Sequence, residues 1–391
     1  MLKHNAESPR WSRDIRRGAL KIPGPFSGSS LAALVALSVF SFHQQKEGVQ
    51  EIKGHLISVP PLHEPRSAHT ATLLPGGNVL IVGGFKKGSD GVSQVYSASS
   101  ELFVDSATGF LPGPAMYFAR AGHTATMLDD GTVLIVGGFT TQGMLATAEI
   151  YDPKANAFTL VGSMTTPRGD FTATLLQGGK VLVAGGGDVT ATPGAELYDP
   201  AARTFRETGS MTTPRLAHAA TRLTDGRVLI AGGGHQGGVL SSAEIYDPAA
   251  GTFSATGSMP MRRYKHASLL RGDGNVLVLG GSDGRDWNGM YSSVEMYDVK
   301  TGKFNPYRAM LAKRFKFPAC VVQLPGESIL LCGGSREIET LGTTEAGSKI
   351  TARLDQANYY STATLLPGGR VLIVGGYDDR SQVTGKAWIY R

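Results

Sequence analysis

Four histidines, His69, His123, His218 and His266, each stand three residues after an arginine, at Arg66, Arg120, Arg215 and Arg263. Imidazoles at a fixed offset from a cation could ligate a metal or move protons. The repetition argues for something plainer, because one spacing in four copies reads as packing or hydrogen bonding within a repeated unit. The arginines, Arg168 included, fit the same reading, each paired with a recurring glutamate such as Glu149 or Glu244 in a buried fork that fastens one unit to the next. Chemistry is expected where the copies differ. At the histidine position the third, sixth and seventh copies carry Phe171, Ala319 and Ser361. At the arginine position the seventh has Asn358 and the sixth has either Arg314 or Lys316. The most divergent stretches supply the candidate ligand-binding residues Asp188, His235, Asp283, Arg285, Asp286, Trp287, Arg336, Asp378 and Arg380. Arg285, Asp286 and Trp287 together would make a sugar contact, with the indole as platform and the charged pair as hydrogen-bonding groups. The plain alternative for them is a solvated turn carrying one packed aromatic. No catalytic residue is assigned, and no metal or cofactor is expected. There is no phosphate-cradling glycine loop, no serine-nucleophile motif and no metal-type cysteine spacing.

Those divergent stretches all follow one element. Seven times a short apolar run ends in a glycine pair: Gly83-Gly84, Gly137-Gly138, Gly185-Gly186, Gly232-Gly233, Gly280-Gly281, Gly333-Gly334 and Gly375-Gly376. Successive pairs lie 54, 48, 47, 48, 53 and 42 residues apart. A period near fifty with four strand-like segments per unit is the mark of a β-propeller. HTATLL and VLIVGG flank turn residues such as Pro75-Gly76-Gly77-Asn78, so the two runs predict an antiparallel hairpin. The unbroken apolar character of VLIV suits a strand buried on both faces between neighbouring units. The glycine pair allows positive φ where that strand ends. AEIYDP supplies a third strand and the stretch from phenylalanine to methionine a fourth. In five units a glutamate precedes that phenylalanine by nine residues, as in Glu149 to Phe158 and Glu244 to Phe253.

The double glycine, the downstream tyrosine and the later bulky aromatic resemble the kelch family over about residues 54–391. The family's usual outer-strand tryptophan is replaced by Phe110, Phe158, Phe205, Phe253 and Phe304. The resemblance implies an all-β propeller whose four-stranded blades carry ligands in loops on a rigid frame. Seven glycine pairs argue for seven blades, and a six-bladed ring with one unit turned to other use is the alternative. The last unit stops at Trp388-Ile389-Tyr390-Arg391, one strand short, while residues 54–62 match an outer strand. The N-terminal strand is therefore expected to complete the last blade and close the ring, removing exposed sheet edges. The sixth unit lacks AEIYDP and an aromatic between Gly334 and Asn358, which predicts a shortened outer hairpin.

Kelch rings host both binding proteins and enzymes. The resemblance extends to copper-radical sugar oxidases, whose centre needs two tyrosines, two histidines and a cysteine bonded to one tyrosine. Neither cysteine here lies near a suitable tyrosine in sequence, so that activity is disfavoured. A metal-free sugar epimerase or mutarotase would need only an acid/base pair. The favoured reading is a binding or scaffolding module for a protein or carbohydrate ligand; the alternative is a carbohydrate-active enzyme with its site in the loops after the glycine pairs.

Charge and the amino terminus bound the setting. Of the net +6, residues 1–42 hold six basic against two acidic residues, which leaves only +2 for the remainder and no support for nucleic-acid binding. The basic segment precedes LAALVALSVFSF at residues 31–42, a run that fits an export signal better than a spanning helix, which needs about 20 residues. Residues 1–50 are thus expected to be an export signal or membrane anchor plus linker, and residues 51–391 one propeller, exported and monomeric. Cys320 and Cys332 flank the Pro325-Gly326-Glu327 turn, where they would form either a disulfide or two small buried thiols.

Overall fold

The computed structural model describes residues 56–391 except residues 89, 91–92, 108, 189, 327 and 343–346. Seven four-stranded antiparallel sheets follow one another along the chain. Their first strands, Thr70–Leu73, Thr124–Met127, Thr172–Leu175, Ala219–Arg222, Ala267–Leu270, Val321–Gln323 and Thr362–Leu365, each lie beside the first strands of both neighbouring sheets, so they ring a common axis. This is a seven-bladed β-propeller, and the six-bladed alternative is excluded.

The second strands show why the VLIV runs have no alternation. Val79 and Ile81 pack with Leu372 and Val374 of the seventh blade. Leu80 and Val82 pack with Val133 and Ile135 of the second. Successive side chains point to opposite faces of a strand, and here both faces meet another blade. All four residues are fully buried, each contributing about 1.5–3 kcal/mol of burial. The nine-residue interval from glutamate to phenylalanine has an equally local cause. It places the phenylalanine directly across from the tyrosine two residues after the glutamate, as in Tyr151 opposite Phe158, with ring centroids 5.1 Å apart.

The glycine pairs are required at both positions. Gly232 has φ of 62°, and a Cβ there would lie 2.5 Å from the Arg263 carbonyl and 2.9 Å from the His266 ring. Gly233, with φ of 95°, would press a Cβ to 2.7 Å from the Leu216 carbonyl. The strand end is therefore wedged between its own blade and the next.

Ring closure follows the sequence expectation. Leu56–Val59 pairs antiparallel with Ala387–Tyr390, from Leu56 opposite Tyr390 to Val59 opposite Ala387, and completes the seventh blade. The sixth blade differs from expectation in where it is short. Its outer hairpin, Glu337–Leu341 with Ser348–Arg353, is full length and carries a bulge at Ile338/Glu339. The shortening lies instead after Gly334, where only Ser335 and Arg336 precede the third strand. Arg314, not Lys316, fills the arginine position, donating to Gly333 O at 2.8 Å. The histidine position is consequently Phe317, which packs against Gly280, and not Ala319. Cys320 and Cys332 are buried free thiols flanking the paired strands Val321–Gln323 and Ile329–Leu331. The expected export or anchor segment, residues 1–50, lies outside the described residues, and among the described residues no helix is long and apolar enough to cross a membrane.

Candidate functional site

The repeated arginines build one joint in six of the seven blades. Arg120 Nη1 donates to Gly137 O at 2.8 Å and to Thr147 O at 3.1 Å, while Nη2 donates to Glu149 at 2.7 Å. Glu149 also accepts the Tyr117 and Phe118 N–H groups, 2.8 and 3.2 Å away, on the segment crossing over from the first blade. Arginine and glutamate thus share a blade, and the glutamate grips the crossover arriving from its neighbour. Arg66–Glu101, Arg168–Glu196, Arg215–Glu244, Arg263–Glu295 and Arg314–Glu339 repeat the arrangement. Only the seventh blade departs, with Asn358 for arginine and Trp388 in the glutamate's strand position.

The histidines are joints as well. His69, His123 and His218 meet Thr362, Thr70 and Thr172 of the preceding blade at 3.0, 3.0 and 2.9 Å. Burial, helped by the neighbouring arginine, pushes His69 and His218 down to about 3, so they stay neutral. Ala219 holds the strand position that carries threonine for the other three, and neither His266 ring nitrogen closes a hydrogen bond. Among the described residues no group of three His, Cys, Asp or Glu is placed to hold a metal ion.

Between arginine and histidine lies the position that matters most. Ala68, Gly122, Asp170, Ala217, Lys265, Lys316 and Tyr360 all have left-handed backbone, with φ from 50° to 61°. Their backbones are strung around the axis. Ala217 N donates to Asp170 O at 2.7 Å, Lys265 N to Ala217 O at 2.9 Å and Lys316 N to Lys265 O at 3.2 Å. Tyr360 N donates to Lys316 O at 2.8 Å, Ala68 N to Tyr360 O at 3.1 Å and Gly122 N to Ala68 O at 3.0 Å. Non-glycine residues adopt this conformation at a cost of about 1–3 kcal/mol unless the surroundings hold them. Here the run of six hydrogen bonds from Asp170 round to Gly122 does so, and each blade places one such residue beside the axis. Three are small. The other four are an acid, two bases and a phenol.

Aromatic rings crowd the side of the fifth to seventh blades. Trp287, carried on the turn Asp286–Gly289, stands edge-on to Phe315 at 5.7 Å and to Tyr359 at 4.4 Å. It reaches from the fifth blade to the seventh because the sixth has almost no loop in the way. Lys316 Nζ lies 4.8 Å from the Trp287 ring centre and donates to Tyr377 Oη at 3.0 Å. Lys265 Nζ lies 4.8 Å from the Tyr264 ring centre. The Tyr264 hydroxyl donates to Asp286, and the Tyr359 hydroxyl to Asp379 at 2.8 Å. Burial and then that carboxylate push the Tyr359 phenol well up. Asp170 holds the same left-handed position in the third blade. Burial pushes its carboxyl up to about 6, with Lys265 and Lys316 pulling it down and Asp188 pushing it up.

The structure sorts the nine sequence-derived candidates. Asp286 and Trp287 join the aromatic cluster, and the Asp188 charge helps to push the Asp170 carboxyl up. Asp283 and Arg285 bond each other at 2.6 Å. His235 caps its own turn by accepting the Gly237 N–H at 2.9 Å. Asp378 accepts the N–H groups of Arg380 and Gln382 at 2.9 and 2.8 Å, which shapes that loop. The Arg336 and Arg380 side chains are exposed. Sequence reasoning passed over Asp170, Lys265, Lys316 and Tyr360. The available signal was the one residue between arginine and histidine, small in three blades and polar in four.

The architecture defines a β-propeller of seven four-stranded blades. The kelch motif matches residues 119–165 and 263–311, in the second and fifth blades, so the propeller carries kelch motifs. No curated protein matches its sequence. Among solved structures it is similar to a fungal alcohol oxidase of the AA5 family in complex with copper, with a TM-score of 0.70 at 17% identity over 86% of this chain and 75% of that one. Identity at that level carries the fold alone. The residues here do not fit a copper-radical centre. Both cysteines are buried in the inner hairpin of the sixth blade, where the Cys320 thiol contacts Ser361 at 3.2 Å.

Proposed function

We propose that the channel mouth on the face of the loops following the glycine pairs is a binding site, and that its ligand is a carbohydrate. One observation carries the reading. The Trp287 indole is 40% exposed although it packs steeply against Phe315 and Tyr359, with the Lys316 ammonium 4.8 Å from its ring centre. A rigid, half-exposed aromatic next to charged donors and acceptors suits a sugar, whose ring has an apolar face and a hydroxyl rim. Titration of a glycan panel by calorimetry tests it. Binding should weaken about tenfold in Trp287→Ala, and a panel with no binder defeats the carbohydrate reading in favour of a protein ligand.

A second reading, a metal-free enzyme acting on carbohydrate, draws on Asp170. A carboxyl near 6 is suited to giving and taking a proton at neutral pH. Turnover of a bound sugar, lost in Asp170→Asn, would establish it. The basic and apolar residues 1–42 support an exported location, which cell fractionation would test.

A further inference from the structure

We propose that Cys320 and Cys332 are a modification site, joined by a cross-strand disulfide when the chain folds in the presence of a small-molecule disulfide. The two cysteines stand opposite each other across the inner hairpin of the sixth blade. Val321 pairs with Leu331, which puts Cys320 against Cys332 one step further on, and the Cys332 N–H donates to Cys320 O at 3.0 Å. Directly opposed, hydrogen-bonded residues of antiparallel strands have Cα atoms about 5.5 Å apart. That lies inside the roughly 4.4–6.8 Å that a disulfide spans. The sulfurs are already neighbours. Cys332 Sγ contacts Cys320 O at 3.7 Å, and the two thiols lie within hydrogen-bonding reach of one another.

The sixth blade has a use for such a link. Its inner strands, Val321–Gln323 and Ile329–Leu331, are three residues long, where the inner strands of the other six blades have four. Its outer strands set Leu341 opposite Ser348 at the register where the first five blades pair two aromatic rings. Yet the segment leading into this blade carries Phe315 and Lys316, which Trp287 packs against. A bond between residues 320 and 332 removes freedom from the unfolded chain and leaves the folded contacts in place.

Both thiols are fully buried, so exchange takes place before the blade closes over them. The thiolate of one cysteine attacks a sulfur of glutathione disulfide. A protein–glutathione S–S bond forms, the glutathione S–S bond breaks, and one glutathione leaves and takes up the proton that the cysteine lost. The second cysteine then gives up its proton and attacks the sulfur of the first, forming the Cys320–Cys332 bond and releasing the second glutathione. Two protein thiols are oxidised, and one glutathione disulfide is reduced to two thiols. The exported location proposed above is one where such bonds persist.

The test is cell-free synthesis of the full-length chain in a glutathione–glutathione disulfide buffer and, in parallel, in dithiothreitol. Thiols are counted in denaturant before and after reduction. The first preparation should show none before reduction and two after it, with residues 320 and 332 recovered in one linked peptide by mass spectrometry. The second should show two throughout. The oxidised chain should melt about 4 °C above the reduced one. The double variant Cys320→Ala, Cys332→Ala should melt at one temperature whichever buffer it was made in. Two free thiols in the glutathione preparation, glutathione retained on either cysteine, or a bond between two chains overturns the proposal. A linked pair with no rise in melting temperature overturns the bracing of the sixth blade.

Discussion

Replacing Asp170 with asparagine should make the protein more stable, and only above the acid range. The Asp170 carboxyl moves from 3.8 to about 6 on folding, chiefly through burial. A group that binds its proton more tightly in the folded state costs nothing below its unfolded value. Its cost grows as pH rises and is complete above the folded value. The change corresponds to about 3 kcal/mol at most, at ~1.36 kcal/mol per pH unit. Solvent in the mouth screens part of this, so between ~1 and ~3 kcal/mol is expected. Asparagine keeps the shape and removes the charge. Urea unfolding of both proteins at pH 4.5 and pH 8 measures the effect, which should be about a third as large at the first as at the second. Equal effects at both pH values, or destabilisation at pH 8, would refute the claim that Asp170 is ionised without a partner. A stability gain accompanied by loss of binding would mark Asp170 as a residue held for its ligand.

Three further outcomes follow from the frame. Deleting residues 51–62 removes the Leu56–Val59 strand and buried Leu62, so the whole propeller should lose its cooperative melting transition in calorimetry. His266→Phe should be neutral or stabilising by about 1–3 kcal/mol, the cost of a buried polar group without a partner. The phenyl ring has precedents at Phe171 and Phe317. Because burial holds His266 well below the usual imidazole range, wild-type stability falls as acid protonates the unfolded chain first, and the variant's acid-unfolding midpoint should move to lower pH. Gly232→Ala should abolish soluble expression or cost more than ~3 kcal/mol in urea, since a Cβ would lie 2.5 Å from the Arg263 carbonyl at positive φ.

The repeat period, the glycine pairs and the split last blade were decisive on their own. They record contacts that recur seven times, and a spacing repeated that often leaves one architecture able to satisfy it. The Arg–Glu and His positions were legible as joints for the same reason. Tertiary structure decided what repetition cannot encode. The choice between Arg314 and Lys316 has no solution in the sequence. Only the contacts of Arg314 with Gly333 and of Phe317 with Gly280 fix the register and move the shortening from the outer hairpin to the loop. That missing loop lets Trp287 cross the sixth blade to Tyr359. The axial group was invisible for a geometric reason. Asp170, Lys265, Lys316 and Tyr360 are separated by 95, 51 and 44 residues, and left-handed backbone at one position per blade turns each toward a common axis. Closing the ring made them neighbours.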